Sequence, residues 1–223
     1  MNKLKCSGFY RVLFPGRDSD SSEQELMLHV EQRYEIAPST SISDLHWVVF
    51  DFETTGLSSK ANEIIEIGAQ RYHAGKCLDS FHSMVRPTKG LPPRITKITG
   101  ITEPMLADAP PLDTVLRKFL RFLREGVLVA HNMSFDKGFL LEGCKQINFS
   151  LSYPTYCTVK MARKFLRQLP RHNLDTIAAH YEVDFVERHR SIGDVEVTSK
   201  VLFNMLEEND IKSIGQLNEF RVP

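Results

Sequence analysis

The sequence predicts an α/β fold, a mixed β-sheet packed by helices, and three observations carry that prediction. Trp47 to Phe50 is an apolar, β-rich run too short for a helix, so it reads as a buried central strand. Ile64 to Tyr72 places Ile65, Ile67 and Ala69 on one face and Glu66, Gly68 and Gln70 on the other, the two-residue period of a strand. Downstream, Leu112 to Arg124 and Asp194 to Glu208 repeat apolar residues at helical spacing. Strands early, helices late and one helix between strands suggest a mixed sheet with helices packed on it.

Each element follows in turn. Phe9 to Phe14 reads as a short apolar element and Pro15 to Ser22 as a polar turn. Glu23 to Ile36 is expected to be helical, with Ser21 or Ser22 as N-cap and Leu26, Val30 and Tyr34 at i, i+4 and i+8. Pro38 to Ser43 reads as a linker. After the central strand, Ser58 to Asn62 is a loop, Ala74-Gly75-Lys76 a hairpin-sized turn, and Cys77 to Arg86 a third strand. The first three strands thus form an antiparallel meander. Ile95 to Ile101 is a short helix or turn. In Leu112 to Arg124 the buried stripe is Val115, Leu116, Phe119, Leu120 and Leu123, with Arg117, Lys118, Arg121 and Arg124 solvated and Gly126 ending the helix. Val127 to Ala130 is a short strand, and Ser134 caps a helix to Ile147. Thr158 to Leu169 and Asn173 to Tyr181 are helical, and Phe185 to Arg190 is a basic loop.

The chain has 223 residues, enough for one sizeable core with some sequence left over. A hydrophobic content of 42% with 25% charged residues is ordinary for a soluble globular protein. A formal net charge of zero argues against a large phosphate-tracking surface, but not against a site that grips a few nucleotides. No apolar run is long enough to span a membrane, and the first residues lack a signal-peptide core. Cys6, Cys77, Cys144 and Cys157 lie far apart, form no C-x-x-C pair and read as free thiols in a reducing, cytoplasmic compartment.

Chemistry concentrates in four acids. Asp51 and Glu53, two apart on a strand, project from the same face just before Gly56. Two anions on one face of a buried element persist only if one is protonated or a cation lies between them. A hard cation held by oxygens, Mg²⁺ or Mn²⁺, meets that condition; so would an exposed strand end where both acids are solvated. Asp136 and Asp194 each fall at a helix start, where a lone carboxylate ordinarily serves the helix dipole. His189 lies on the loop entering the last helix.

Taken together, Asp51-Phe-Glu53-Thr-Thr-Gly56, His131-Asn-Met-Ser-Phe135-Asp136 and His189-Arg-Ser-Ile-Gly-Asp194 resemble the three motifs of the DEDDh (DnaQ-like) 3′–5′ exonucleases, which include the proofreading epsilon subunit of bacterial DNA polymerase III. Secondary matches lie at Glu63 to Gly68, Ile98 to Ile101 and Asn173 to Ile177, and the similarity runs from Leu45 to Glu207. The resemblance implies a ribonuclease H-like fold with a mixed five-stranded sheet. It implies a hydrolase that releases nucleoside 5′-monophosphates from DNA 3′ ends with two divalent cations, Mg²⁺ or Mn²⁺, held by Asp51, Glu53, Asp136 and Asp194. His189 would be the general base, where a sister group carries tyrosine. Thr54, Thr55 and Gly56 would offer backbone N–H groups to the terminal nucleotide, Asn132 would bond phosphate or sugar, and Leu57 and Phe135 would wedge or stack on bases, although core packing explains Leu57 and Phe135 equally well.

This reading divides the chain into an N-terminal extension with a linker (1–44), an exonuclease domain (45–210) and a short tail (211–223). Expected partners are single-stranded DNA or a frayed 3′ end, in proofreading or repair, with RNA trimming and non-catalytic end binding as alternatives. Gln216-Leu-Asn-Glu-Phe220 loosely resembles a sliding-clamp docking peptide, against the simpler reading of an amphipathic turn packed on the domain.

Overall fold

The computed structural model describes residues 9–13 and 29–223, with side chains described from Tyr34 onward. The central sheet is built from β3 (His46–Thr54), β4 (Ile64–His73), β5 (Lys76–Met84), β6 (Val127–Ala130) and β8 (Thr155–Cys157), in the order β5-β4-β3-β6-β8. β5, β4 and β3 pair antiparallel, as the meander predicts, whereas β6 and β8 add on parallel. The hairpin between β4 and β5 closes at Ala74 and Gly75, both at positive φ (48° and 73°). Two left-handed central residues give the turn whose twist matches the flanking strands.

β3 is buried on both faces, and its alternation sorts the two cores. Trp47 and Val49 pack with Val127 and Val129 against α5 (Thr158–Phe165), α6 (Leu174–His180) and α7 (Ser191–Glu208). Val48, Phe50 and Phe52 pack with Leu128 and Ala130 against α3 (Leu112–Leu123) and α4 (Met133–Gln146). Each such side chain contributes about 1.5–3 kcal/mol by leaving water. α1 (Pro93–Thr99) and α2 (Glu103–Ala107) form a smaller cluster around Ile65, Leu91, Ile95 and Ile101. The predicted stripe of α3 is buried, and its four basic residues are exposed.

Several expectations are corrected. His29–Arg33 is strand β2, not helix; it pairs antiparallel with β1 (Phe9–Leu13) and parallel with β7 (Phe149–Ser152), so both backbone edges are satisfied by neighbours that a local periodicity does not reveal. The rest of that expected helix, residues 23–28, and the turn at 15–22 lie outside the described residues. β7 and β8 have four and three residues, too short to show alternation. Gly126 does not cap α3; Arg124 takes the positive φ (44°), and a Cβ at Gly126 would meet Val48 Cγ2 at 2.6 Å. Ser134 lies inside α4, whose N-cap is Asn132 at φ 67°. α5 ends at Phe165, short of Leu169.

Of the two readings of 216–220, the structure has the turn packed on the domain. Ile214–Phe220 is a 3₁₀ helix in which Gln216 completes a capping box with Ser213. Leu217 and Phe220 are 0% and 2% exposed, and Phe220 stacks edge-on against Phe165 at 5.1 Å. The side chains that would dock are spent in the core. Val222 N–H then donates to Thr155 O at 2.9 Å, which fastens the tail beside β8. Cys77, Cys144 and Cys157 are free thiols, while Cys6 is outside the described residues. No described helix is long and apolar enough to cross a membrane.

Candidate active site

The site forms where β3 outruns β6. β6 pairs only with Trp47 to Val49, so the edge of β3 beyond Val49 needs another partner. Asp136, in the first turn of α4, provides one: its Oδ1 accepts the Phe52 N–H at 3.1 Å. A helix carboxylate is thereby fixed to the strand segment that carries Asp51 and Glu53.

On the face shared by Asp51 and Glu53, the cross-strand partners in β4 are Gly68 and Glu66. Gly68 makes room for α7. A Cβ there would lie 2.6 Å from the Ser191 carbonyl carbon and 2.8 Å from Ile192 N, so any side chain would push the helix start away. Glu66, fully buried, holds that helix start in place. Its carboxylate accepts the Ser191 N–H at 2.9 Å and Arg190 Nη2 at 2.7 Å, and it pairs with His82 Nε2 at 2.8 Å. Burial alone would raise the Glu66 pKa; the bonds from His82, Arg190 and Ser191 override burial and hold it at about 2. One turn into α7, Asp194 arrives beside Asp51. Oxygens of Asp51, Glu53 and Asp194 all lie within 4.8 Å of one another.

This arrangement is electrostatically unfavourable on its own. Burial, then the Asp194 charge, pushes Asp51 up to about 8; burial, then Asp51 and Asp194, pushes Glu53 up to about 9. Asp136 is raised well above its ordinary value by burial and by Asp51. Burial also raises Asp194, but Arg188 restrains it to about 6. Asp194 Oδ2 accepts Arg188 Nη1 at 2.6 Å, while the buried Oδ1 has no hydrogen-bond partner among the described residues. An orphaned buried carboxylate oxygen beside two further carboxylates is the donor set that a hard divalent cation takes. The residues present therefore fit a metal, with Asp51, Glu53 and Asp194 as the group that can hold it.

His189 sits at φ 60° on the loop before α7, with Nδ1 3.2 Å from Arg188 Nη1. Burial and then the Arg188 charge lower its pKa, which favours the neutral ring. His131 is lowered to about 4, chiefly by burial, and its Nδ1 meets Thr158 Oγ1 at 2.9 Å, tying the exit of β6 to the start of α5.

Other sequence-selected residues divide. Leu57 is 82% exposed, free to meet a ligand. Phe135 is half-buried against Phe139, ring centroids 5.0 Å apart, which favours packing. Asn132 is exposed at the head of α4. The expectation that the Thr55 N–H is offered to a nucleotide is corrected: it donates to Glu63 O at 2.8 Å, and Thr55 Oγ1 accepts the Glu63 N–H at 2.9 Å. Thr54 Oγ1 donates to Gly56 O at 2.7 Å, so this turn is held by its own bonds. Sequence reasoning missed Arg188, Glu66 and Arg190 as parts of the site. The signal for Glu66 was its alternation with Gly68 on the face of Asp51; no local pattern marks Arg188.

The fold and site together define a ribonuclease H-like α/β domain centred on a carboxylate cluster. Comparison with known proteins agrees. The profile of the Exonuclease family, RNase_T, matches residues 48–202. Similar curated proteins include the PolC-type DNA polymerases III of Caldanaerobacter subterraneus subsp. tengcongensis, 40% identical over 175 residues, and of Clostridium perfringens, 39% identical over 180. These alignments cover 77% and 79% of this chain but only 12% of each polymerase. Among solved structures, exonuclease X in complex with 5′ overhanging duplex DNA aligns with a TM-score of 0.66 at 23% identity, over 78% of this chain and 98% of that one. E. coli exonuclease I in complex with a dT13 oligonucleotide aligns with a TM-score of 0.62 at 15% identity, over 74% and 41%. The chain belongs to the Exonuclease family.

Proposed function

We propose that this chain is a 3′–5′ exodeoxyribonuclease of DEDDh type that releases nucleoside 5′-monophosphates from single-stranded or frayed DNA 3′ ends. The observation that carries the reading is the convergence of Asp51, Glu53 and Asp194 within 4.8 Å, with Asp136 fastened to the same strand. Asp51, Glu53, Asp136 and Asp194 would hold two divalent cations, Mg²⁺ or Mn²⁺, and their four carboxylates supply the negative charge to do so. When bound, such ions supply water activation and neutralise charge growing on the phosphate and the leaving 3′-oxygen.

His189 takes the proton of the attacking water. A guanidinium can only donate, so in this structure the Arg188 contact occupies the Nδ1 lone pair, and that contact opens before Nδ1 can receive a proton. Asn132 and the exposed Leu57 contact the terminal nucleotides, with Phe135 behind them.

The domain is residues 45–210, preceded by an extension (1–44) and followed by the tail (211–223). Similarity to PolC-type polymerases supports action beside a DNA polymerase, in proofreading or repair, in the cytoplasm. RNA trimming uses the same chemistry and differs in tolerance of the 2′-OH. Equal mixtures of DNA and RNA of one sequence, 5′-labelled and incubated with Mg²⁺ or Mn²⁺, test the assignment. A ladder shortening from the 3′ end on DNA is expected. Preference for RNA would replace the deoxyribonuclease reading, and intact strands of both kinds would end the catalytic one.

A further inference from the structure

The fork of Arg188 joins two elements and the cluster. Nε and Nη2 grip the two carboxylate oxygens of Asp175, on α6, at 2.7 and 3.1 Å. Nη1 donates to Asp194 Oδ2 at 2.6 Å and lies 3.2 Å from His189 Nδ1. The guanidinium also lies over the Phe185 ring, 4.9 Å from its centroid. The loop bearing it packs closely on α7: a Cβ at Gly193 would come within 2.0 Å of Glu187 O. Among the described residues, Arg188 is the one side chain that hydrogen-bonds a carboxylate of the Asp51–Glu53–Asp194 group. Arg190, the neighbouring cation, is committed to Glu66.

We infer that Arg188 is a built-in counter-cation of the active site: it stands in for part of the metal charge in the metal-free protein by holding Asp194 Oδ2 and the His189 Nδ1 lone pair, and it yields both when divalent ions bind. The inference rests on the proposed metal-dependent nuclease reading. A cation that neutralises a ligand and lies beside its site opposes a second cation by both routes. Asp175 is what makes the exchange cheap, because Arg188 retains a bidentate partner when Nη1 lets go. Arg188 is thus a positioning residue that sets metal affinity.

Isothermal titration of Mn²⁺ into metal-free wild-type protein, Arg188→Gln and Arg188→Lys tests this, with melting temperatures taken before and after. A nearby charge moves a proton equilibrium by about 1–3 units, so Arg188→Gln is expected to bind Mn²⁺ more tightly, on the order of tenfold. Its metal-free form should melt lower than wild type, and its metal-induced shift should be larger. Arg188→Lys, which keeps the charge, should bind within about twofold of wild type. A merely structural arginine would weaken binding when removed. Equal or weaker Mn²⁺ binding by a folded Arg188→Gln protein therefore overturns the inference and leaves the nuclease reading standing. A wild-type protein that binds no Mn²⁺ overturns both. Independently of any variant, Mg²⁺ titration followed by ¹⁵N NMR should shift the Arg188 guanidinium signals as Nη1 is released; signals that stay fixed while Mg²⁺ binds contradict the inference.

Discussion

At the scale of single residues, the site stores electrostatic repulsion that a cation relieves. Asp51 and Glu53 are raised to about 8 and 9. A carboxyl with a raised folded pKa favours the unfolded chain once pH exceeds its ordinary value, and increasingly so until the folded pKa is reached. The metal-free protein should therefore lose stability as pH climbs from about 4 to 9, and divalent ions should reverse the trend. Asp51→Asn removes one of the repelling charges. Its metal-free form should melt above wild type at pH 8, by about 2–4 °C per kcal/mol relieved, while nuclease activity is lost. Thermal melts at pH 5 and 8 check this; a variant no more stable than wild type at pH 8 would show that the cluster is not strained. His189→Ala should lower kcat by roughly 10²–10⁴ and leave Mn²⁺ affinity nearly unchanged in calorimetry, since the ring is a base and not a ligand.

Among the elements, α7 is the one whose placement matters most, and β4 places it. Gly68 gives the helix start its clearance and Glu66 holds it through Ser191 and Arg190. Glu66→Gln leaves Arg190 without its carboxylate, and breaking a buried pair costs about 3–5 kcal/mol; urea denaturation should show a loss of this size. Because the Glu66 pKa is depressed to about 2, its contribution is complete above its ordinary value near 4.5 and disappears as pH falls from there toward 2. Gly68→Ala should cost about 1–3 kcal/mol and reduce activity beyond that loss, since it separates Asp194 from Asp51; a fully active variant would contradict the account of β4.

Legibility followed range. β3, β4 and α3 were readable because their alternation or stripe lies within one segment and both faces or one stripe meet the core. Motif order, which substitutes for distance, picked out Asp51, Glu53, Asp136 and Asp194, carboxylates that the fold places on or beside one strand. What escaped was decided by partners remote in the chain. His29–Arg33 is a strand only because β1 and β7 flank it. Arg188 belongs to the site only because α6 brings Asp175 to it. Gln216, Leu217 and Phe220 matched a docking peptide as text, but the burial of Leu217 and Phe220, the latter against Phe165, is a tertiary fact, while Gln216 stays exposed and caps its own 3₁₀ helix.

For the whole molecule, the tail and the metal both act on global stability. Phe220 fills a core position, so Phe220→Ala should cost about 3–5 kcal/mol, read as a lower melting temperature. Metal binding to the folded state alone should raise stability by RT ln(1 + [L]/Kd), about 2.7 kcal/mol at a hundredfold excess over Kd. The account as a whole holds that one carboxylate cluster, assembled from β3, α4 and α7, is a metal-dependent site for removing nucleotides from a strand end. The most direct measurement is the rate of nucleotide release from a 5′-labelled single strand as Mg²⁺ is titrated from zero, for wild type and Asp51→Asn side by side. The account predicts a saturable rise for wild type, no release in EDTA and a flat line for Asp51→Asn. Release that persists in EDTA, or that Asp51→Asn sustains, would contradict it.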